Sequence, residues 1–226
     1  MTLTPPEPLL AAATTKAQAA TVRAQRTPMI DQALEKLFEL YPHLFGTRFV
    51  PLKLGIFQEL LSRHPEHFDR KTLKAALGVH TRSTRYLQCL AAHGPRYDLD
   101  GTALDVVAPE HVHQALVQLF RRRQARSRSD LRPQLAAQLM KAFDASGLTR
   151  LEYRCRVMGK DAEMNAVLEE AFAQRDLGLA KREALLRAFK SSGKTREEFA
   201  QMYGLDLIEV GVTLARQPLQ NPERGG

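Results

Sequence analysis

The chain has 226 residues, of which 44% are hydrophobic and 26% are charged, and its formal net charge is +8. This length and apolar content suffice for one or two packed domains. The positive excess favours a polyanionic partner, either nucleic acid or an acidic membrane surface. No run of about twenty apolar residues is present, and residues 9–13 are too short for a signal peptide. We therefore predict that no membrane is involved.

The two cysteines, Cys89 and Cys155, lie far apart in segments with a helical pattern. Two such distant thiols do not form a disulfide framework, so the simpler expectation is a chain in the reducing cytoplasm.

The N-terminal segment, residues 1–26, is rich in Ala, Thr and Pro and has no sustained apolar period, which predicts a disordered tail. The first helix is predicted to begin at Thr27 and Pro28, because threonine is a good N-cap and proline suits the first helical position. Apolar residues then recur at helical spacing as far as Tyr41, and Pro42 is expected to stop the helix.

Shorter helices and a hairpin are predicted next. The helical ranges are 55–63, 70–77 (capped by Asp69 and ended by Gly78), Thr81 or Ser83 to Ala92, and 109–126. Residues 96–101 alternate in polarity and run into an Asp-Gly turn, which indicates a small β-hairpin. The first domain is expected to span residues 27–128.

The C-terminal half contains a repeat. Residues 141–153 (KAFDASGLTRLEY) match residues 187–199 (RAFKSSGKTREEF) at an offset of 46 residues. In each copy a glycine ends one helix, a threonine caps the next, and a glutamate three residues later completes a capping box. We predict an all-α region over residues 131–218 made of two three-helix repeats, followed by a disordered tail at 219–226. Its expected core positions are Phe143, Leu151, Tyr153, Phe189 and Phe199.

The charge is concentrated between Arg70 and Arg96, where six basic residues occur without a single acidic one. Arg70 and Lys74 lie four residues apart and share a helix face, and Arg82 and Arg85 share a face of the next helix. A run of charge is often only a solvated surface, but the absence of interleaved acids favours a phosphate-binding surface.

The segment 79–86 (VHTRSTRY) has the features of an anion site. A helix that begins there presents free N–H groups and the positive end of its dipole, beside hydroxyls, two arginines, a histidine and a tyrosine. This set suits a terminal phosphate or ribose, whereas the alternative is an ordinary helix cap with a core tyrosine.

Three segments resemble the ProQ/FinO RNA-binding domain. Residues 50–57 (VPLKLGIF) are close to the PLKIGIF signature of the family, and residues 70–87 (RKTLKAALGVHTRSTRYL) are similar to its helix pair. Residues 96–101 (RYDLDG) are similar to its R-x-D-L-D-G hairpin. Their order and spacing agree over about residues 28–125. The resemblance implies a compact helical domain with a small hairpin, within a mainly α chain.

The resemblance also implies a function. Members of this family are non-catalytic RNA chaperones without a cofactor, which bind a terminator-like hairpin with a single-stranded 3′ tail and act through small or antisense RNAs. It implies that Lys53, Arg70, Lys74, Arg85 and Arg96 meet the RNA backbone, and that the helix start at Thr81–Ser83, with Tyr86, receives the 3′ end. The full predicted RNA-binding set is Lys53, Arg70, Lys71, Lys74, His80, Thr81, Arg82, Ser83, Arg85, Tyr86 and Arg96.

No enzyme or metal site is predicted. His64 and His67 are only loosely spaced for a metal, and no cysteine or carboxylate pair completes a set. Asp98 and Asp100 are better explained by the chemistry of the hairpin turn. The rival function is DNA binding by the C-terminal repeats as helix-turn-helix units. The would-be recognition helix, residues 206–216, carries two acids and one base, which favours protein contact or support of RNA binding there.

Overall fold

The computed structural model describes residues 28–215, so the predicted tails and the N-cap Thr27 lie outside the described residues. The described chain is mainly α-helical with one antiparallel two-stranded hairpin, which confirms the predicted fold class. It divides into two compact units that meet inside one helix, between Ala115 and Leu116. No helix among residues 28–215 is both long and apolar enough to cross a membrane.

The first unit is built from short helices around a hairpin. Helix α1 covers residues 28–40. It is followed by α2 (Pro42–Phe45), α3 (Ile56–Arg63), α4 (Arg70–Thr81), α5 (Thr84–Ala91), β1 (Pro95–Tyr97) and β2 (Ala103–Val106). Helix α6 (Pro109–Gln124) begins in the first unit and ends in the second. Pro42 does more than end α1, because it occupies the start of α2, where its missing N–H costs nothing.

One apolar cluster holds this unit together, and five of its leucines are almost fully buried: Leu37, Leu44, Leu60, Leu73 and Leu99. Leu99 lies in the turn of the hairpin. Asp98 Oδ1 holds this turn by accepting hydrogen bonds from the N–H groups of Asp100 and Thr102. Arg63 then donates two hydrogen bonds to Asp100, at 2.7 and 2.8 Å. Asp98 therefore serves the turn, as expected, and Asp100 also forms an ion pair with Arg63.

The prediction that α4 ends at Gly78 is wrong. The helix continues for another turn as far as Thr81, and Ser83 rather than Thr81 caps α5. The cost of about 1 kcal/mol for a glycine inside a helix is small beside the burial of Leu77 and His80, which are 7% exposed on the core side of that turn. Tertiary packing therefore extends the helix through the glycine.

The second unit continues with α7 (Arg132–Ser146), α8 (Arg150–Val157), α9 (Ala162–Ser192), α10 (Arg196–Tyr203) and α11 (Leu207–Ala215). Both predicted capping boxes are present, with Thr149 and Glu152 at the start of α8 and Thr195 and Glu198 at the start of α10. Gly147 and Gly193 adopt the left-handed conformation (φ of 64° and 62°) at the ends of α7 and α9.

Helix α9 belongs to both copies of the repeat. Its first half packs Phe172 against Phe143 and Tyr153, and its second half packs Phe189 against Phe199. The two predicted three-helix repeats therefore share one continuous helix, Ala162–Ser192. The core prediction for Leu151 is wrong, because this residue is 67% exposed on the outer side of α8.

Candidate nucleic-acid interface

The N-cap of helix α4 determines which of its side chains are exposed. The Asp69 carboxylate accepts hydrogen bonds from the N–H groups of Lys71 (2.7 Å) and Thr72 (3.1 Å). The Thr72 hydroxyl and these N–H groups lower the pKa of Asp69. The cap sets the rotation of the helix, so that Leu73 enters the core while Arg70, Lys71 and Lys74 are exposed.

The junction between α4 and α5 adds two more arginines. Arg82 caps α4 and Arg85 lies in the first turn of α5, and both are exposed. A Cβ atom at Gly78 would lie 3.0 Å from Nη2 of Arg82, so the guanidinium group rests against the glycine backbone. The absence of a side chain at Gly78 therefore leaves space for the guanidinium group of Arg82. We call these five exposed cations, Arg70, Lys71, Lys74, Arg82 and Arg85, the basic face.

Most of the basic face is not neutralised. Among residues 28–215, Arg70, Lys71, Lys74 and Arg85 form no salt bridge, and Arg70 only approaches the ring of Phe57, at 5.9 Å from its centroid. Lys53 differs, because its Nζ lies 3.2 Å from Glu59 and its side chain is 39% exposed. Lys53 therefore offers a partly compensated charge.

Within the predicted 3′-end site, only the first turn of α5 combines the start of a helix with exposed side chains. Ser83 is the N-cap, and its Oγ accepts a hydrogen bond from the N–H of Tyr86 at 3.1 Å. Thr84 and Arg85 follow and are exposed. Thr81 does not belong to this turn, since its hydroxyl donates to the carbonyl of Leu77 at 2.7 Å within α4. The prediction that Thr81 stands at the start of α5 is therefore wrong, because Thr81 is the last residue of α4.

Tyr86 and Arg96 are buried rather than exposed. The Tyr86 hydroxyl accepts from the N–H of Leu52 at 3.0 Å, and Nη1 of Arg96 donates to the carbonyl of Leu52 at 2.8 Å. Nη2 of Arg96 lies 3.1 Å from Nδ1 of His111. Burial raises the pKa of Tyr86. Tyr86 and Arg96 therefore hold the backbone N–H and carbonyl of Leu52, the residue before Lys53. They help to position Lys53 and do not themselves expose a positive charge.

His80 is also in the core. Its ring stacks on Phe49 at 4.8 Å and contacts Phe45 and Tyr86 at 5.0 and 5.4 Å. Burial lowers its pKa to about 4, so the imidazole is neutral near neutral pH. The expectation that His80 faces a nucleic acid conflicts with this placement, because only 7% of the residue is exposed.

The contact between His111 and Arg96 was not predicted from the sequence. The two residues are 15 positions apart and lie in a hairpin and a helix. No periodic pattern relates positions in different elements, so no sequence signal marks this pair.

Three comparisons with known proteins give related results. A family model described as "ProQ/FINO family" matches residues 28–132. The RNA chaperone ProQ of Shewanella pealeana and that of Shewanella halifaxensis are each 37% identical over 90 residues. The aligned parts cover 38% of this chain and 42% of each relative, so the chain spans about two fifths of the length of these curated proteins.

Two solved structures are also similar to part of this chain. One is the crystal structure of a FinO-like RNA chaperone from Neisseria meningitidis, with 27% identity over 49% of this chain and 91% of the other, and a TM-score of 0.37. The other is the solution structure of a ProQ homolog from Legionella pneumophila, with 31% identity, coverage of 44% and 88%, and a TM-score of 0.37. The family match shows that residues 28–132 form a domain of the ProQ/FINO family.

Proposed function

We propose that this protein is a non-catalytic RNA chaperone that binds structured RNA through the basic face. The observation that carries the proposal is the exposure of five cations on two consecutive helices of a ProQ/FINO domain. Phosphate groups at regular spacing are the ligands that neutralise such a surface, and binding releases the counterions that the RNA had condensed.

Some arginines of the second unit, in contrast, form salt bridges. Arg150 pairs with Glu169 and Asp176 at 3.2 and 2.9 Å, and Arg175 pairs with Asp144 at 2.7 Å. Four of the five cations of the basic face have no such partner among residues 28–215. These cations lie in a segment, Arg70 to Arg96, that contains no acidic residue, and this clustering favours the α4–α5 surface as the place where a polyanion binds.

We further propose that the RNA is a terminator-like hairpin whose single-stranded 3′ tail meets the start of α5. The first N–H groups of a helix have no intrahelical partner and lie at the positive end of its dipole. Ser83 and Thr84 add hydroxyls at this point. Because the ring of Tyr86 is 4% exposed, the terminal nucleotide is bound by the turn itself, and Tyr86 acts by holding α5 against Leu52.

Post-transcriptional regulation through small RNAs or antisense RNA in the cytoplasm is the biological role that this proposal implies. The curated relatives are named RNA chaperones, and pairing of two RNAs needs only a basic surface that holds structured strands without chemistry. The role of the second unit, as a protein contact or as support for the RNA, stays a prediction.

DNA binding by the repeats is less well supported. Helix α11 exposes Leu207 (46%), Ile208 (77%) and Val212 (48%). Apolar side chains on the would-be recognition helix do not suit a phosphate-lined groove, where base edges are read by polar and basic side chains.

The experiment is a binding assay with three nucleic acids at several salt concentrations: the hairpin with a uridine tail, the same RNA with a 3′-phosphate, and duplex DNA. We expect affinity to fall in that order. Lys74→Ala and Arg85→Ala should each weaken RNA binding and reduce the slope of log affinity against log salt by up to about 0.7 to 0.9. Lys181→Ala is the matched control, because Lys181 is an exposed lysine of α9 without a salt bridge among residues 28–215.

The results separate the two parts of the proposal. Slopes that are the same in Lys74→Ala, Arg85→Ala and Lys181→Ala would contradict the basic face. Equal affinity for the two RNA ends would contradict recognition of the 3′ end by α5 and leave only binding of the duplex by charge.

A further inference from the structure

The turn between α3 and α4 has the sequence His64-Pro65-Glu66-His67. Its backbone is held, because the N–H groups of His67 and Phe68 both donate to the carbonyl of His64 at 3.2 Å. Phe68 is 5% exposed and anchors the turn to the core. The three polar side chains therefore project from a well-supported segment.

These side chains bring their ligand atoms together. Oε1 of Glu66 lies 3.7 Å from Nδ1 of His64 and 3.4 Å from Nε2 of His67. The three groups offer one ligand atom each, all within 4.8 Å of one another. In a tetrahedral zinc site the metal–nitrogen distance is about 2.0–2.1 Å, which places neighbouring ligand atoms about 3.3 Å apart. The Glu66 oxygen already lies within about 0.4 Å of that separation from both nitrogens.

One imidazole is already oriented for a ligand role. The Tyr41 hydroxyl lies 2.8 Å from Nε2 of His64, and the side chain of His64 is only 21% exposed. An Nε2–H that donates to the tyrosine oxygen leaves the lone pair of Nδ1 directed to the side of Glu66. Histidines that bind metals commonly donate their other ring N–H in this way, which fixes the tautomer and the ring orientation.

We propose that His64, Glu66 and His67 bind a divalent transition-metal ion of the Zn²⁺ class, with the remaining position open to water. Two imidazoles and one carboxylate suit zinc, whereas Mg²⁺ and Ca²⁺ take oxygen ligands. The site lies in the turn between α3 and α4 and shares no residue with the basic face. It does not depend on the proposed RNA function.

Calorimetric titration of the full chain with ZnCl₂ at neutral pH tests the site, with MgCl₂ as the cation control. We expect one Zn²⁺ per chain and no comparable binding of Mg²⁺. Glu66→Gln and His67→Gln should each weaken Zn²⁺ binding by about tenfold or more. Tyr41→Phe, which keeps all three ligands, should weaken it about 10–100-fold, the usual effect of a partner behind a metal ligand.

The control variant is His93→Asn, which removes a histidine elsewhere in the first unit. The backbone of His93 has a φ of 56°, a conformation that asparagine tolerates, so the fold and the Zn²⁺ affinity should be unchanged. His67 is 39% exposed in its side chain, so circular dichroism should show a folded His67→Gln chain. Wild-type affinity in both His67→Gln and Glu66→Gln, or no Zn²⁺ binding by the wild-type chain, would overturn the proposal.

Discussion

The clamp on Leu52 gives the sharpest test of how the first unit is held together. Leu52 is 3% exposed, and both of its backbone polar groups are bonded to side chains: its N–H to Tyr86 and its carbonyl to Arg96. Tyr86→Phe keeps the aromatic ring in the core and removes only the oxygen that accepts the Leu52 N–H. The perturbation therefore removes the hydrogen bond to Leu52, which is 34 residues away, together with the contact of the same oxygen with the Arg96 side chain.

The expected cost follows from burial. A buried N–H that loses its partner costs about 1–3 kcal/mol of folding free energy. For a unit of 60–100 residues, each kcal/mol lowers the unfolding temperature by about 4–8 °C. Tyr97→Phe is the matched control, because the Tyr97 hydroxyl has no hydrogen-bond partner among residues 28–215. Its effect should stay within about 0.5 kcal/mol.

Thermal unfolding followed by circular dichroism measures the loss of stability, and hydrogen exchange at the Leu52 amide locates it. We expect Tyr86→Phe to unfold at a lower temperature than Tyr97→Phe and to exchange the Leu52 amide faster. If the two variants unfold together and the amide exchanges at the wild-type rate, the clamp does not contribute to stability, and the interpretation of Tyr86 as a positioning residue fails.

Three further predictions concern other parts of the chain. Burial lowers the pKa of His80 to about 4 in the folded chain, against 6.5 for an ordinary histidine. The unfolded chain therefore binds the proton first, and stability should fall as pH drops from about 6.5 to 4. The unfolding temperature of His80→Phe should depend less on pH than that of the wild-type chain, and identical profiles would contradict this. Thr149→Ala and Thr195→Ala remove matching N-caps, so each should cost about 0.5–2 kcal/mol in urea unfolding, and no loss in either would show that the boxes are dispensable. Burial raises the pKa of Cys89 to about 11, whereas Cys155 is exposed, so mass spectrometry after mild alkylation near neutral pH should find Cys155 modified first, and the reverse order would refute the burial of Cys89.

Features that depend on neighbouring residues could be predicted from the sequence. The caps at Asp69, Thr149 and Thr195 form hydrogen bonds to N–H groups two or three residues away, so residue type and spacing suffice to identify them. The Asp-Gly turn after Asp98 is local in the same sense. Exposure of the cations of α4 also follows, because the cap and the apolar period set which side of the helix enters the core.

Burial of the polar site residues was decided only by the tertiary structure. Tyr86 and Arg96 bind the same leucine from 34 and 44 residues away, and His80 fills a gap between two phenylalanines of another segment. Helix α4 runs through Gly78 because the packing of its last turn outweighs a weak local preference. Capping and periodicity act within one or two helical turns, whereas these contacts join segments that meet only when the core forms, and no local pattern in the sequence records which partner will be there.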